Sequence, residues 1–264
     1  MALSTDTLIH FTDSKENLKS ILQENFRIFM CNERLVLNRR SPSVPHQGML
    51  DIHVPMVSFC DIPLSEIKDH MSKYGSYGLG MTKVWGARKG LNPVLYLEQG
   101  SNLIKSFKLA FTRLTHGTHE SKPSQTDAQR AINAEAQKAL TDVMRYLKNY
   151  ESYLYRDGEL TLKYRFSDER EWRYVPPYTA NCEMLLGDPD FHKPDIRSAA
   201  EAKLVDFRLE FEPNDIKYII INDDSEISEF IEHLRSVKSK KYSPDEIDRL
   251  TTRILTSEQI NSDM

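Results

Sequence analysis

Residues Tyr74–Leu97, YGSYGLGMTKVWGARKGLNPVLYL, hold two apolar runs of strand character, Gly78–Thr82 and Pro93–Leu97, around a segment punctuated by Gly86 and Gly90. Tyr74, Gly75, Tyr77 and Gly78 crowd the entry, where glycine lets a backbone turn or a ligand approach closely. This element is expected to form the floor of a cleft. Leu8–Thr12 (LIHFT) and Glu169–Tyr174 (EREWRY) would supply its walls.

Upstream, Thr7–Thr12 alternates apolar and polar residues, as a strand does. Asp13 or Ser14 then offers a helix cap, and Leu18, Ile21 and Leu22 make an apolar stripe that ends near Asn25. Phe26–Met30 reads as a second strand. Glu33–His53, interrupted by Pro42, Pro45 and Gly48 and made basic by Arg34, Arg39 and Arg40, reads as an irregular loop. Val54–Cys60 is a strand in which Pro55 permits only an edge or a first position. Asp61 and Pro63 suit a helix start that continues through Ile67–Met71.

Downstream, Asn102–Leu114 has a helical stripe. In Ala128–Tyr155, residues Ile132, Ala136, Leu140, Val143, Leu147, Tyr150 and Leu154 recur at spacings of 4, 4, 3, 4, 3 and 4, which predicts one long helix. Leu160–Tyr164 and Glu169–Val175 alternate again, with a turn at Ser167-Asp168. Asn181–Lys203 is loop-rich, with a short helix at Ile196–Lys203. Phe207–Phe211 and Ile216–Ile221 are the last strands, and Ser225–Val237 and Ser243–Leu255 the last helices. Strands and helices mix without a βαβ rhythm, so the expected class is α+β. One domain is expected over residues 1–264, with a helical insertion at about 102–158 and C-terminal helices at about 225–264.

The 264 residues are 39% hydrophobic and 28% charged, with a net charge of -4. That composition excludes a disordered or fibrous chain and argues against a general nucleic-acid coating protein. Cys31, Cys60 and Cys182 are widely spaced, which fits a reducing compartment and gives no zinc signature. The start MALSTDTLIHFTDS is too polar for a signal peptide, and no apolar run approaches the ~20 residues of a membrane span. A cytoplasmic, non-membrane protein is expected.

Three places carry candidate chemistry. His10, on a strand just before a helix N-terminus, can donate to a ribose hydroxyl, although a half-exposed strand histidine looks the same. Glu169, Glu171 and Arg173 would share one strand face; two carboxylates there repel, which raises the pKa of one and suits acid/base or oxocarbenium work. Arg170 and Arg173 neutralising the acids is the plainer alternative. Tyr74 or Tyr77, each beside a glycine, can stack on a flat heterocycle or merely pack in a turn. Weaker candidates are His116 and His119 with Glu120, the pair Cys60 and His70, and the run Asp188, Asp190 and His192. No metal is expected from any of them, and no P-loop, GxGxxG or GxSxG is present.

Ser58–Leu97, SFCDIPLSEIKDHMSKYGSYGLGMTKVWGARKGLNPVLYL, with the later Glu169–Pro176, EREWRYVP, resembles the abortive phage-infection AbiGi family over about residues 8–225. That family is described as the antitoxin half of a two-gene phage-defence system, which implies a cognate toxin or antitoxin as partner. IHFT, the following SKENLKSIL helix, the tyrosine-glycine strand and the late Glu-x-Glu are also similar to the His-Tyr-Glu branch of the ADP-ribosyltransferase fold. This second resemblance implies a split mixed-sheet core with NAD as substrate. By position, His10 would hold the adenosine-side ribose, Tyr74 or Tyr77 would stack on nicotinamide, and Glu171, with Glu169, would stabilise the breaking glycosidic bond. Phe11, Thr12 and Gly78 would line the nicotinamide clamp, Phe11 replacing the small residue usual there. The implied activity is mono-ADP-ribosylation of a cellular target. Arg34–Arg40 and Lys238, Lys240 and Lys241 suggest RNA as one acceptor. A catalytically dead fold that binds a partner toxin, and an NAD glycohydrolase, are the alternatives.

Overall fold

In the computed structural model, which describes residues 5–37, 49–119, 126–156 and 158–263, the Thr7–Thr12 alternation forms strand β1. Ser14 then caps helix α1 (Lys15–Glu24) by accepting from the Asn17 amide, and Asn25 ends it at φ 70°. β2 (Phe26–Arg27) and β3 (Phe29–Val36) follow, then the 12-residue β4 (Met49–Cys60). After a 3₁₀ turn come α2 (Lys68–Tyr74), β5 (Tyr77–Thr82) and α3 (Lys83–Arg88), the last capped by the Thr82 hydroxyl. β6 (Asn92–Pro93), β7 (Leu95–Leu97), α4 (Asn102–His119), α5 (Asp127–Met144) and β8 (Leu147–Asn149) continue the chain. A hairpin of β9 (Glu151–Arg156) and β10 (Glu159–Arg165) leads through a 3₁₀ turn to β11 (Glu171–Tyr174). The remainder is β12 (Leu186–Gly187), α6 (Asp188–Phe191), α7 (Pro194–Ala202), β13 (Arg208–Leu209), β14 (Ile216–Ile221), α8 (Ile227–Lys238), α9 (Pro244–Thr251), β15 (Ile254–Thr256) and α10 (Ser257–Asp263).

The described strands build a mixed sheet in the order β15-β14-β5-β1-β4-β11-β6, with β3 and β12 flanking the far end of β4. Only β14 and β15 run parallel within it; the other pairs are antiparallel. The protein is therefore α+β. Alternation along β1 sends Leu8 to a core with Leu18, Leu22, Trp85, Phe230 and Leu234, and Ile9 to the opposite face with Ile67, Met71 and Ile260. A further core joins β3 and β4 to α4 and α5 through Ile52, Val54, Ile104, Phe107 and Met144.

β1 and β4 pair only at Ile9↔Cys60. From Met56 back to Met49 β3 is the neighbour of β4. The sheet thus splits beside Ser58, and this split positions the site.

Several expectations are corrected. Of the irregular loop expected over Glu33–His53, Glu33–Val36 and Met49–His53 are instead the ends of the two arms of the β3–β4 ladder; Arg39, Arg40, Pro42, Pro45 and Gly48 lie outside the described residues. Pro55 sits inside β4, opposite Met30, where the partner on the other edge changes from β11 to β12. The expected helix to Tyr155 ends at Met144. Arg145 is buried there; its Nη1 donates to the Pro176 carbonyl (2.8 Å), its own carbonyl accepts from Arg173, and Leu147 pairs in parallel with Leu95. The tyrosine-rich run that follows satisfies strand preference instead. The helix expected to run to Leu255 stops at Thr251, and β15 completes the sheet edge. The cleft floor is β4, not the Tyr74–Leu97 element: of that element Tyr74 lines the cavity, while β5 lies two strands away from β4.

Candidate functional site

Strand β8 alternates, so Leu147 and Asn149 are buried while Lys148 turns to the opposite side. There its ammonium meets two carboxylates, Glu169 Oε2 at 2.9 Å and Glu171 Oε2 at 2.7 Å. Glu169 ends a 3₁₀ turn and Glu171 opens β11; between them Arg170 takes a left-handed conformation (φ 44°) that joins turn to strand. Glu171 Oε1 accepts from Ser58 Oγ (2.8 Å) and Arg173 Nε (2.5 Å), and Oε2 also accepts from Arg173 Nη2 (3.1 Å). Arg173 is fully buried and reaches Glu33 as well (2.7 Å). Glu169 Oε1 accepts from Tyr74 (2.5 Å) and Tyr164 (3.1 Å).

This corrects the expected carboxylate repulsion; the plainer alternative, neutralisation, is seen through Arg173, with Lys148 as the second cation. Burial works to raise the Glu171 pKa, but the charges and hydrogen bonds of Arg173 and Lys148 outweigh it and hold the carboxyl well below the usual carboxylate range. Burial works to lower Lys148, yet Glu171, Glu33 and Glu169 keep it raised and charged. The Tyr74 phenol is pushed up by burial first and by Glu169 second. Neutralisation by cations, not carboxylate repulsion, governs the cluster.

A cavity of about 220 Å³ occupies the split between β1 and β4, bounded by His70 and Tyr74 of α2 and by the Glu169–Lys148–Glu171 cluster. The His10 ring packs against Phe26 and Phe59, and its Nδ1 crosses the split to the Ser58 carbonyl (2.8 Å). Burial lowers the His10 pKa more than that carbonyl raises it, so the imidazole stays neutral and presents Nε2 as an acceptor.

The structure brings Glu171, Glu169 and Tyr74 together and sets His10 and Phe11 on the same cavity. Thr12 lies beyond Tyr74 in an outer depression. Tyr77 points elsewhere, donating to Glu226 (2.9 Å), and Gly78 faces the Phe11 ring. Cys60 and His70 both line the cavity, but burial and then Asp61 push the thiol up to about 12, so it carries no nucleophile. Asp188 bonds His53 (3.0 Å) far along β4 rather than joining the cluster. Glu120 lies outside the described residues, as do the His116 and His119 side chains. Among the described residues no group of His, Cys, Asp or Glu is arranged to hold a metal, and no helix is long and apolar enough to cross a membrane. Lys148, Ser58 and Glu33 escaped the sequence reading. The signal for Lys148 is a lone lysine between residues that alternate into the core, hidden while the segment reads as helix.

The fold and site define an α+β protein with a split mixed sheet and a buried carboxylate–cation cluster at the split. Residues 12–222 match the family model described as "Putative abortive phage resistance protein AbiGi, antitoxin". The chain belongs to the AbiGi family. It is similar to the abortive phage resistance protein AbiGi of Lactococcus lactis subsp. cremoris, 27% identical over 233 residues, covering 80% of this chain and 89% of that one. No solved structure matches.

Proposed function

We propose that this protein is the antitoxin of a phage-resistance toxin–antitoxin pair and acts by binding its partner toxin, with an ADP-ribosyltransferase-like core that does not turn over NAD. The carrying observation is the state of Glu171. A carboxylate offers about four acceptor positions, and Ser58, Lys148 and both Arg173 nitrogens occupy them. No position is left for a ribose hydroxyl, and Lys148 and Arg173 offset the Glu171 charge that would stabilise an oxocarbenium ion. The 220 Å³ cavity is also below the roughly 300–1,000 Å³ of ligand pockets. The family description as antitoxin agrees.

A second reading rests on a different observation: His10, Tyr74 and Glu171 converge on one cavity at the sheet split. It is an NAD-dependent mono-ADP-ribosyltransferase acting on a cellular target, RNA included, or a glycohydrolase that uses water.

Nicotinamide release from NAD separates them, measured on purified protein with RNA and cell lysate as acceptors. The antitoxin reading expects no release, together with co-purification of the product of the neighbouring gene. Release that disappears in both His10→Ala and Glu171→Gln establishes the enzyme; release without any acceptor makes it a glycohydrolase.

A further inference from the structure

Beyond Tyr74, on the outer side of the cavity wall, a shallow depression is bounded by Thr12 and Asp13 at the end of β1, by Lys73 and Ser76 around the end of α2, and by Arg156 on β9. The Arg156 guanidinium lies 4.5 Å over the Tyr74 ring. Its Nη1 is buried and has no hydrogen-bond partner. No described carboxylate lies within ion-pair distance of Arg156 or Lys73; Tyr74 and, at longer range, Glu169 act on the Arg156 guanidinium, and the Lys73 ammonium rests 5.2 Å from the Tyr164 ring. A desolvated guanidinium N–H without an acceptor is costly and calls for an anion. The nearest acid on the depression, Asp13, is engaged with Asn17.

We propose that Arg156 and Lys73 form a receptor for a phosphoryl group on the outer side of the cavity wall, with Tyr74 as the wall shared between the two. A guanidinium fork meets two phosphoryl oxygens in parallel, and an ammonium meets a third as a point charge. Thr12 and Ser76 add hydroxyl donors on the same depression. Because Arg156 covers Tyr74 and Tyr74 bonds Glu169, an anion that draws the guanidinium outward also loosens the wall of the inner cavity. The receptor stands on its own observations and holds whether or not the cavity turns over NAD.

The phosphoryl group can arrive free or on a nucleoside, and calorimetric titration of the full chain at low salt distinguishes them. Inorganic pyrophosphate and ADP bind, whereas adenosine does not. Arg156→Ala and Lys73→Ala each weaken binding about tenfold or more, and Arg156→Lys recovers part of the loss. Lys73 is exposed, so its substitution leaves the fold intact and keeps the test valid if Arg156→Ala is unstable. ADP binding tighter than pyrophosphate assigns the group to a nucleotide; equal affinities assign it to a free phosphate. The proposal is overturned if neither pyrophosphate nor ADP binds, if the alanine variants bind like wild type, or if adenosine binds as well as ADP.

Discussion

Glu171 and Arg173 show what a buried ion pair asks of its surroundings. Both are shielded from water, and each is acceptable only because the other, with Lys148, Glu33 and Ser58, completes its hydrogen bonds. Glu171→Gln leaves two buried cations with one carboxylate fewer, and is expected to cost about 3–5 kcal/mol at pH 7 by urea unfolding. The folded pKa of Glu171 is depressed, so its stabilisation is present above the unfolded value near ~4.3 and is lost as pH falls through the folded value. The gap between wild type and Glu171→Gln should therefore narrow in acid. His10 has the opposite preference in charge and the same direction in pH. Burial keeps it neutral in the fold, so stability is full above about 6.5 and falls as pH drops below it. His10→Gln should flatten that part of the thermal-unfolding profile between about pH 7 and 5.

Among the elements, the junction of α2 with β1 fixes where Tyr74 stands. Gly75 caps α2 at φ 109°, ψ 162°, a region essentially reserved for glycine. A Cβ there would lie 2.2 Å from the Thr12 carbonyl oxygen. Gly75→Ala is expected to lower stability by at least about 1–3 kcal/mol, seen as a reduced Tm, with Tyr74 displaced from Glu169. Elements whose pattern is local were legible in the sequence: β1 and α1 with its Ser14 cap, β5, β14, and the Ser243 start of α9. The end of α5 was not. Leu147, Tyr150 and Leu154 prolong the helical spacing, and what stops the helix is distant in sequence, the Pro176 carbonyl and the Leu95 pairing. The same boundary hid Lys148, so the acids of the cluster could be picked out and the cation that joins them could not. Pro55 misled for a related reason, since proline rules out continuous pairing on both edges but not a place where partners change.

At the scale of the molecule, the cores on the two sheet faces meet at the split, and the α4–α5 pair is part of this framework. It forms the crossover between the parallel strands β7 and β8, and Ile104, Phe107 and Met144 cover the β3–β4 ladder. The seam where β1 meets β4 at a single residue pair divides the main sheet into β1, β5, β14 and β15 on one side and β3, β4, β6, β11 and β12 on the other. Those two sets alternate along the chain, so no single break separates one from the other. In terms of inheritance, a recombination breakpoint between β1 and β11 joins segments of two ancestries across the cavity. The walls of the split must then change together, or the cluster between them loses its partners.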